Sequence, residues 1–192
     1  MKNFQFIISN LKNKRKLLRG GFTLVETLVA ISILTVSITG PMIIAQKGVG
    51  SSVYARDEIT AFYLAQEAVE YVRAVRDSNR GGSSWLANLT NCMSPNACKV
   101  DSQYLDYITN SASAITMCPT AATCPIITFE TVKHLYGYGS GGNWRNTNFK
   151  RTISITETVL NREAIISVTV FWTSNLFTGG RTFTVKEHLF NF

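Results

Sequence analysis

Apolar and polar positions follow three different regimes along this chain. From Phe22 to Ala45 nearly every position is apolar or small, and the only formal charge is Glu26. A run of this length is sufficient for a bilayer-spanning helix, which needs about 20 residues. From residue 46 to 79 the pattern becomes amphipathic. Ala61, Leu64, Ala65, Ala68, Val69, Val72 and Val75 recur at spacings of three and four and predict one apolar helix stripe. Asp57, Glu58, Gln66, Glu67, Glu70, Arg73, Arg76 and Asp77 supply the polar positions, and Glu70 and Arg73 are spaced as a favourable helical ion pair. Asn79-Arg-Gly-Gly82 is a helix stop. Gly48 and Gly50, followed by Ser51 and Ser52, weaken the helix where it would leave a membrane surface.

The C-terminal third changes period again. Four segments predict strands: 125–132, 149–160, 163–173 and 181–188. Ile153 and Ile155 alternate in the second; Ala164, Ile166, Val168, Val170 and Trp172 alternate in the third and share one face. Asn161-Arg162 and the stretch Ser174–Gly180 separate the last three, so an antiparallel meander is expected, with one face covering the helix stripe. Residues 83–124, rich in Ser, Asn, Thr, Ala and Pro, read as loops with short elements. Within them Trp85-Leu86 is a candidate staple back onto the helix, and Tyr104, Leu105 and Tyr107 form a second. The expected fold class is therefore α+β: a long N-terminal helix, its first half membrane-spanning, packed on a small antiparallel sheet. Five regions follow: a basic leader at 1–21, a transmembrane or assembly helix at 22–45, its amphipathic continuation at 46–80, a Cys-containing loop region at 81–124 and a sheet region at 125–192.

Charge sharpens this picture. The chain of 192 residues has a net charge of +7, which alone suggests a nucleic-acid partner. Six of its 19 basic residues (Lys2, Lys12, Lys14, Arg15, Lys16, Arg19) lie in 1–21 with no acid among them, leaving 13 against 12 acids, a net of +1. The basicity is a local topology signal that holds the N-terminus on the cytoplasmic side while the rest crosses. A secretory signal would have a shorter apolar core and a small-residue cleavage site after it, neither of which is present.

Two residues stand out inside the span. Pro41, after Gly40, removes a backbone donor and predicts a kink or a loosened turn. Glu26 places a carboxylate where lipid makes it costly unless paired or neutralised. It lies near the cytoplasmic edge and can reach the headgroups there. Cleavage between Gly21 and Phe22 would supply a second partner: a new terminal amine, able to pair with Glu26 of a neighbouring subunit and so fix the register of bundled helices.

The run Arg19-Gly-Gly-Phe-Thr-Leu-Val-Glu-Thr-Leu-Val-Ala-Ile resembles the class III signal of type IV pilin and pseudopilin precursors. The resemblance covers about residues 15–45, and the leader is longer than many in the family. It implies that prepilin peptidase cuts after Gly21 and N-methylates Phe22, that Glu26 serves methylation and subunit docking, and that Pro41 stands near the family's usual helix-breaking proline. It also implies a long helix packed on a small antiparallel sheet. A second, weaker resemblance, in Ala65-Gln-Glu-Ala-Val-Glu70, is to the post-membrane helix of PilV-like minor pilins and tilts the reading toward a minor subunit.

The remaining chemistry is sparse. Cys92-x5-Cys98 and Cys118-x5-Cys124 allow three pairings. Outside the cytoplasm disulfides persist, and local pairs 92–98 and 118–124 close at small entropic cost, although a crossed arrangement would also staple the two loops. Zinc would fit four thiolates, but the spacing is wide and the compartment unfavourable, so no metal and no cofactor are expected. Gly137-Tyr-Gly-Ser-Gly-Gly-Asn-Trp144 lacks the lysine and the strand–helix setting of a phosphate-binding loop and reads as a surface connection whose aromatics contact a neighbour or a ligand. His134 and His188 are isolated, and no catalytic constellation is visible.

The expectation is a non-enzymatic structural subunit, a minor pilin of a type IV pilus-like filament, held in the cytoplasmic membrane before assembly and then carried on a surface filament. Its partners would be other pilin subunits, prepilin peptidase, an inner-membrane assembly platform and the bilayer. A pseudopilin of a type II secretion or DNA-uptake machine is one alternative, and in a DNA-uptake system nucleic acid becomes a partner. A filament-borne adhesin or ligand- or DNA-binding module is the other.

Overall fold

In a computed structural model, residues 21–80, 84–104, 114–174 and 179–191 are described. The basic leader up to residue 20, Gly81-Gly82, Leu105, Tyr107 and residues 175–178 of the last connection lie outside them. Internal contacts divide the chain into a unit ending at Val49 and a second unit, Gly50–Phe192.

One helix, α1 (Leu24–Ser78), contributes to both units. It includes Pro41 and passes through Gly48 and Gly50 without a break in helical assignment. Its start is set by Thr23, whose Oγ1 accepts the Glu26 N–H at 3.2 Å, satisfying one of the unpaired donors of the first turn. Along residues 24–44 its large apolar side chains are exposed, and the hydroxyls of Thr27, Ser32, Thr35, Ser37 and Thr39 donate back to carbonyls three or four residues earlier. Self-satisfied hydroxyls of this kind let polar residues sit in an apolar setting without an unpaired donor.

In the second unit all seven stripe residues from Ala61 to Val75 are buried. Tyr71 joins them, its hydroxyl donating to the Tyr104 carbonyl at 3.0 Å. Asp57, placed among the polar positions by pattern, is also buried; Arg56 donates to its carboxylate from Nη2 at 3.1 Å. The helix ends at Ser78. Asn79 Nδ2 then donates to the carbonyls of Trp85 and Ala87 at 3.2 and 2.6 Å, and Trp85 and Leu86 fold into the core.

Seven strands among the described residues make one antiparallel sheet: β1 (Ala97–Val100), β2 (Ile115–Cys118), β3 (Ile126–Glu130), β4 (Leu135–Gly137), β5 (Trp144–Val159), β6 (Glu163–Trp172) and β7 (Arg181–Phe190). The long β5 organises it. One edge pairs with β6 from Phe149 to Val159, and β6 pairs with β7. The other edge is shared by β3, along Trp144–Lys150, and β1, at Ile153. Asn161, with φ 57°, makes the tight turn between β5 and β6, a conformation asparagine tolerates. Ala164, Ile166, Val168, Val170 and Trp172 all face inward and are buried, as are Ile153 and Ile155. The α+β class and the β5–β6–β7 meander agree with the sequence pattern.

Three features differ from it. Strands β1 and β2 lie in the stretch whose composition suggests loops. The short β4 forms where the glycine-rich connection begins. β5 starts at Trp144, five residues before its predicted start, because residues 144–146 pair with β3 rather than following an apolar alternation of their own.

Candidate functional site

The N-terminal motif comes first in the chain. Gly21 and Phe22 precede α1, and Phe22 is exposed. Glu26 falls in the first turn of α1, where the positive end of the helix dipole favours a carboxylate. Thr23-x-x-Glu26 is thus a capping-box sequence whose Thr half is formed. This gives Glu26 a local role in starting the helix that the spacing of an amine partner alone does not reveal. Pro41 lies 15 residues further along the same helix.

The cysteines lie in the second unit as disulfides Cys92–Cys98 and Cys118–Cys124. The first ties the 3-10 turn Thr90–Cys92 to β1; the second ties the end of β2 to the turn Ala121–Thr123. Because Ala97 pairs with Cys118 and Cys98 with Met117, both bridges gather at one end of the β1–β2 ladder.

Beneath that ladder sits a residue the pattern did not single out. Arg151 is 2% exposed. It occupies the inward phase of β5, between buried Phe149 and Ile153. Its Nη1 donates to the Leu64 carbonyl at 2.7 Å and contacts Glu67 Oε2 at 3.1 Å; its Nη2 donates to the Val100 carbonyl at 2.6 Å. One guanidinium thereby joins α1, β5 and β1. The signal was present: the same period-two phase that puts Ile153 and Ile155 inside puts Arg151 there too. Burial pushes the nearby Tyr138 phenol above its ordinary value, an effect partly opposed by the Arg151 charge. At the far end of the sheet Arg73 donates to Glu187 of β7, from Nε at 2.6 Å, and to Glu70 at 2.5 Å. The hydrogen bond to Glu187 holds the guanidinium more firmly protonated than usual.

His188 Nδ1 lies 2.5 Å from Glu163 Oε1 on the exposed side of β6–β7. His134 is exposed and turns the β3–β4 hairpin with φ 55°. Ser140–Trp144, the second part of the glycine-rich stretch, line an open cleft together with the β3–β4 hairpin and Glu67 of α1. Buried Glu130, at the end of β3, accepts the backbone N–H of Lys133; nothing in its sequence context marked it as buried. Among the described residues no group of three or more His, Cys, Asp or Glu is arranged to hold a metal ion.

Residues 17–40 match the family described as the prokaryotic N-terminal methylation motif. No curated protein and no solved structure matches the chain. The matched segment spans Gly21, Phe22 and Glu26 and runs to the residue before Pro41. Together with a long apolar N-terminal helix and a C-terminal antiparallel sheet, it defines a chain with a prepilin-like methylation motif and a type-IV-pilin-like fold.

Proposed function

We propose that this chain is a structural minor subunit of a type IV pilus-like filament. The observation that supports this best is the methylation motif at 17–40 seated on a helix whose apolar side chains are exposed from Phe22 to Ile44. The exposed run from Phe22 to Ile44, uncharged except at Glu26, needs a covering, and a bilayer before assembly and neighbouring helices after it both provide one.

In this reading the precursor is a single-pass protein of the cytoplasmic membrane with its N-terminus inside. Prepilin peptidase cuts between Gly21 and Phe22 and methylates the new amine. That amine pairs with Glu26 of an adjacent subunit. Glu26 thus moves from an acid in the first turn of a helix capped by Thr23 to an inter-subunit partner, which supplies both register and a reason to associate. Pro41 allows α1 to bend or loosen as it packs. Residues 50–192 decorate the filament and carry no chemistry of their own. A pseudopilin in a secretion or DNA-uptake machine would use the same motif and helix.

Mass spectrometry of the mature protein tests the reading directly. The N-terminal peptide should begin with N-methylated Phe22. An intact leader in cells with active prepilin peptidase would refute the processing step. Counting subunits in purified filaments then separates a minor from a major role, since a minor subunit should be present at a small fraction of the filament's total.

A further inference from the structure

The filament reading leaves one built feature unused, the cleft beside the glycine-rich stretch. Its volume is about 1050 Å³, at the upper end of the ~300–1,000 Å³ usual for small-molecule clefts. It lies wholly within the Gly50–Phe192 unit. A smaller depression shares Glu67 and Tyr136 with it and continues to Thr60 and Tyr63. The combined groove therefore suits an elongated ligand better than a single small one.

Trp144 is placed in it with some care. A Cβ at Gly139 would overlap the indole, and one at Gly137 would come within 3.1 Å of its Cη2. The absence of side chains at these two positions lets the indole lie against the strand backbone. Trp144 nevertheless remains half-buried and lines the cleft. A ring backed by glycines and open to a groove is a stacking platform.

The rest of the lining narrows the ligand class. Gln103, Ser140 and Asn143 offer neutral donors and acceptors. Both acids already have partners: Glu67 contacts buried Arg151 at 3.1 Å, and Glu130, 6% exposed, accepts the backbone N–H of Lys133. A cationic ligand would meet Lys133, and an anionic one would meet Glu67 and Glu130. A wholly apolar ligand would cover the Gln103 and Asn143 amides without offering them partners. What remains is a neutral molecule with apolar C–H faces and many hydroxyls. We propose that this cleft binds a neutral oligosaccharide, with Trp144 stacking on a sugar ring and Gln103, Asn143 and Glu130 bonding its hydroxyls. The proposal stands apart from the filament reading, since it concerns only the second unit and survives even if processing fails.

The test uses the full chain in micelles of a zwitterionic detergent without a sugar headgroup. Chitotriose, cellotriose and maltotriose are titrated while tryptophan fluorescence and heat are recorded; choline and sialyllactose serve as charged probes. Of the three tryptophans, Trp85 and Trp172 are buried, so a ligand-dependent fluorescence change should come from Trp144. At least one neutral trisaccharide should bind saturably. Trp144→Ala should weaken it about 10-fold or more, and Gly139→Ala, which displaces the indole without removing it, should weaken it comparably. Trp144→Phe should retain most of the affinity and guards against a variant that fails to fold. The proposal is overturned if none of the three sugars binds saturably up to about 10 mM. It is equally overturned if only choline or sialyllactose binds, or if folded Trp144→Ala binds as well as wild type.

Discussion

Replacing Arg151 with alanine should be among the most damaging single substitutions in the sheet unit. The side chain is almost fully enclosed and makes three polar contacts to two other elements: the Leu64 carbonyl at 2.7 Å and Glu67 at 3.1 Å on α1, and the Val100 carbonyl at 2.6 Å on β1. The two carbonyl bonds are charge-assisted, buried and short. Each is worth about 1.5–3 kcal/mol when a charged donor is involved. The Leu64 carbonyl belongs to the interior of α1, so it should keep a helical partner and lose less. The Glu67 contact adds little, because that carboxylate's side chain is 35% exposed and a solvated pair contributes at most ~1 kcal/mol. The expected loss is therefore about 3–4 kcal/mol, the lower part of the range seen when one partner of a buried charge network is removed. For a unit of this size that lowers the melting temperature by roughly 10 °C. Circular dichroism melts and urea titrations of the full chain measure both quantities. Glu67→Gln, by contrast, should cost less than about 1 kcal/mol. Arg151→Lys should recover only part of the loss, since one ammonium cannot hold two carbonyls in the planar fork that a guanidinium presents. A melting temperature for Arg151→Ala within 2 °C of wild type would refute the assignment. So would a loss in Glu67→Gln equal to that in Arg151→Ala, because the ion pair would then be the dominant contact.

Three further outcomes are expected. Replacing Cys92 and Cys98 together by serine should cost about 2.5 kcal/mol of chain entropy, plus a penalty for two hydroxyls in the main core; replacing Cys118 and Cys124, which sit in a smaller separate cluster, should cost less, and urea midpoints of the two double variants decide the order. Tyr138 ionises late because burial raises its phenol above the usual value for tyrosine. The folded state therefore holds a proton that the unfolded state releases, and its stabilising contribution is present below pH 10 and declines as pH rises beyond it. Tyr138→Phe should remove part of the late phase of a phenolate absorbance titration, and an unchanged titration would contradict the burial argument. Glu26→Ala should leave membrane insertion intact while lowering incorporation into filaments, scored by fractionation and by immunoblots of sheared filaments; normal incorporation would mean the terminal amine needs no such partner.

The parts of the fold legible in the sequence are those in which one segment dictates its own periodicity. The stripe from Ala61 to Val75 and the alternation from Ala164 to Trp172 each have one wet face and one dry face, so period and burial coincide. What escaped is structure imposed by partners distant in sequence. β1 and β2 are four residues each, too short to show an alternation, and their ends are tied by disulfides instead of by a long apolar run. The first residues of β5, Trp144-Arg-Asn, have no strand pattern and are ordered by pairing with Glu130, Phe129 and Thr128. Gly137 and Gly139 read as punctuation in the sequence, but in the fold they are the surface on which Trp144 rests.

Arg151 and Glu26 show why charged residues at apolar positions deserve a physical account before a functional one. Both interrupt a periodic or continuous apolar pattern, and the pattern alone treats them alike. Arg151 is held inside its own chain by two carbonyls and one carboxylate through Nη1 and Nη2, with only its Nε left unpartnered among the described residues, which makes it a structural pin. Glu26 accepts no hydrogen bond from a side chain within the described residues. Its observed local contribution is limited to position: an acid in the first turn of a helix already capped by Thr23. That position is worth only about 0.3–1 kcal/mol, less than the several kcal/mol that a charge loses on leaving water. A carboxylate so weakly rewarded by the described residues, on a segment whose neighbouring apolar side chains are exposed, is free to take a partner from outside them. In the proposed reading, cleavage after Gly21, within the methylation motif matched at 17–40, would create that partner as a new terminal amine.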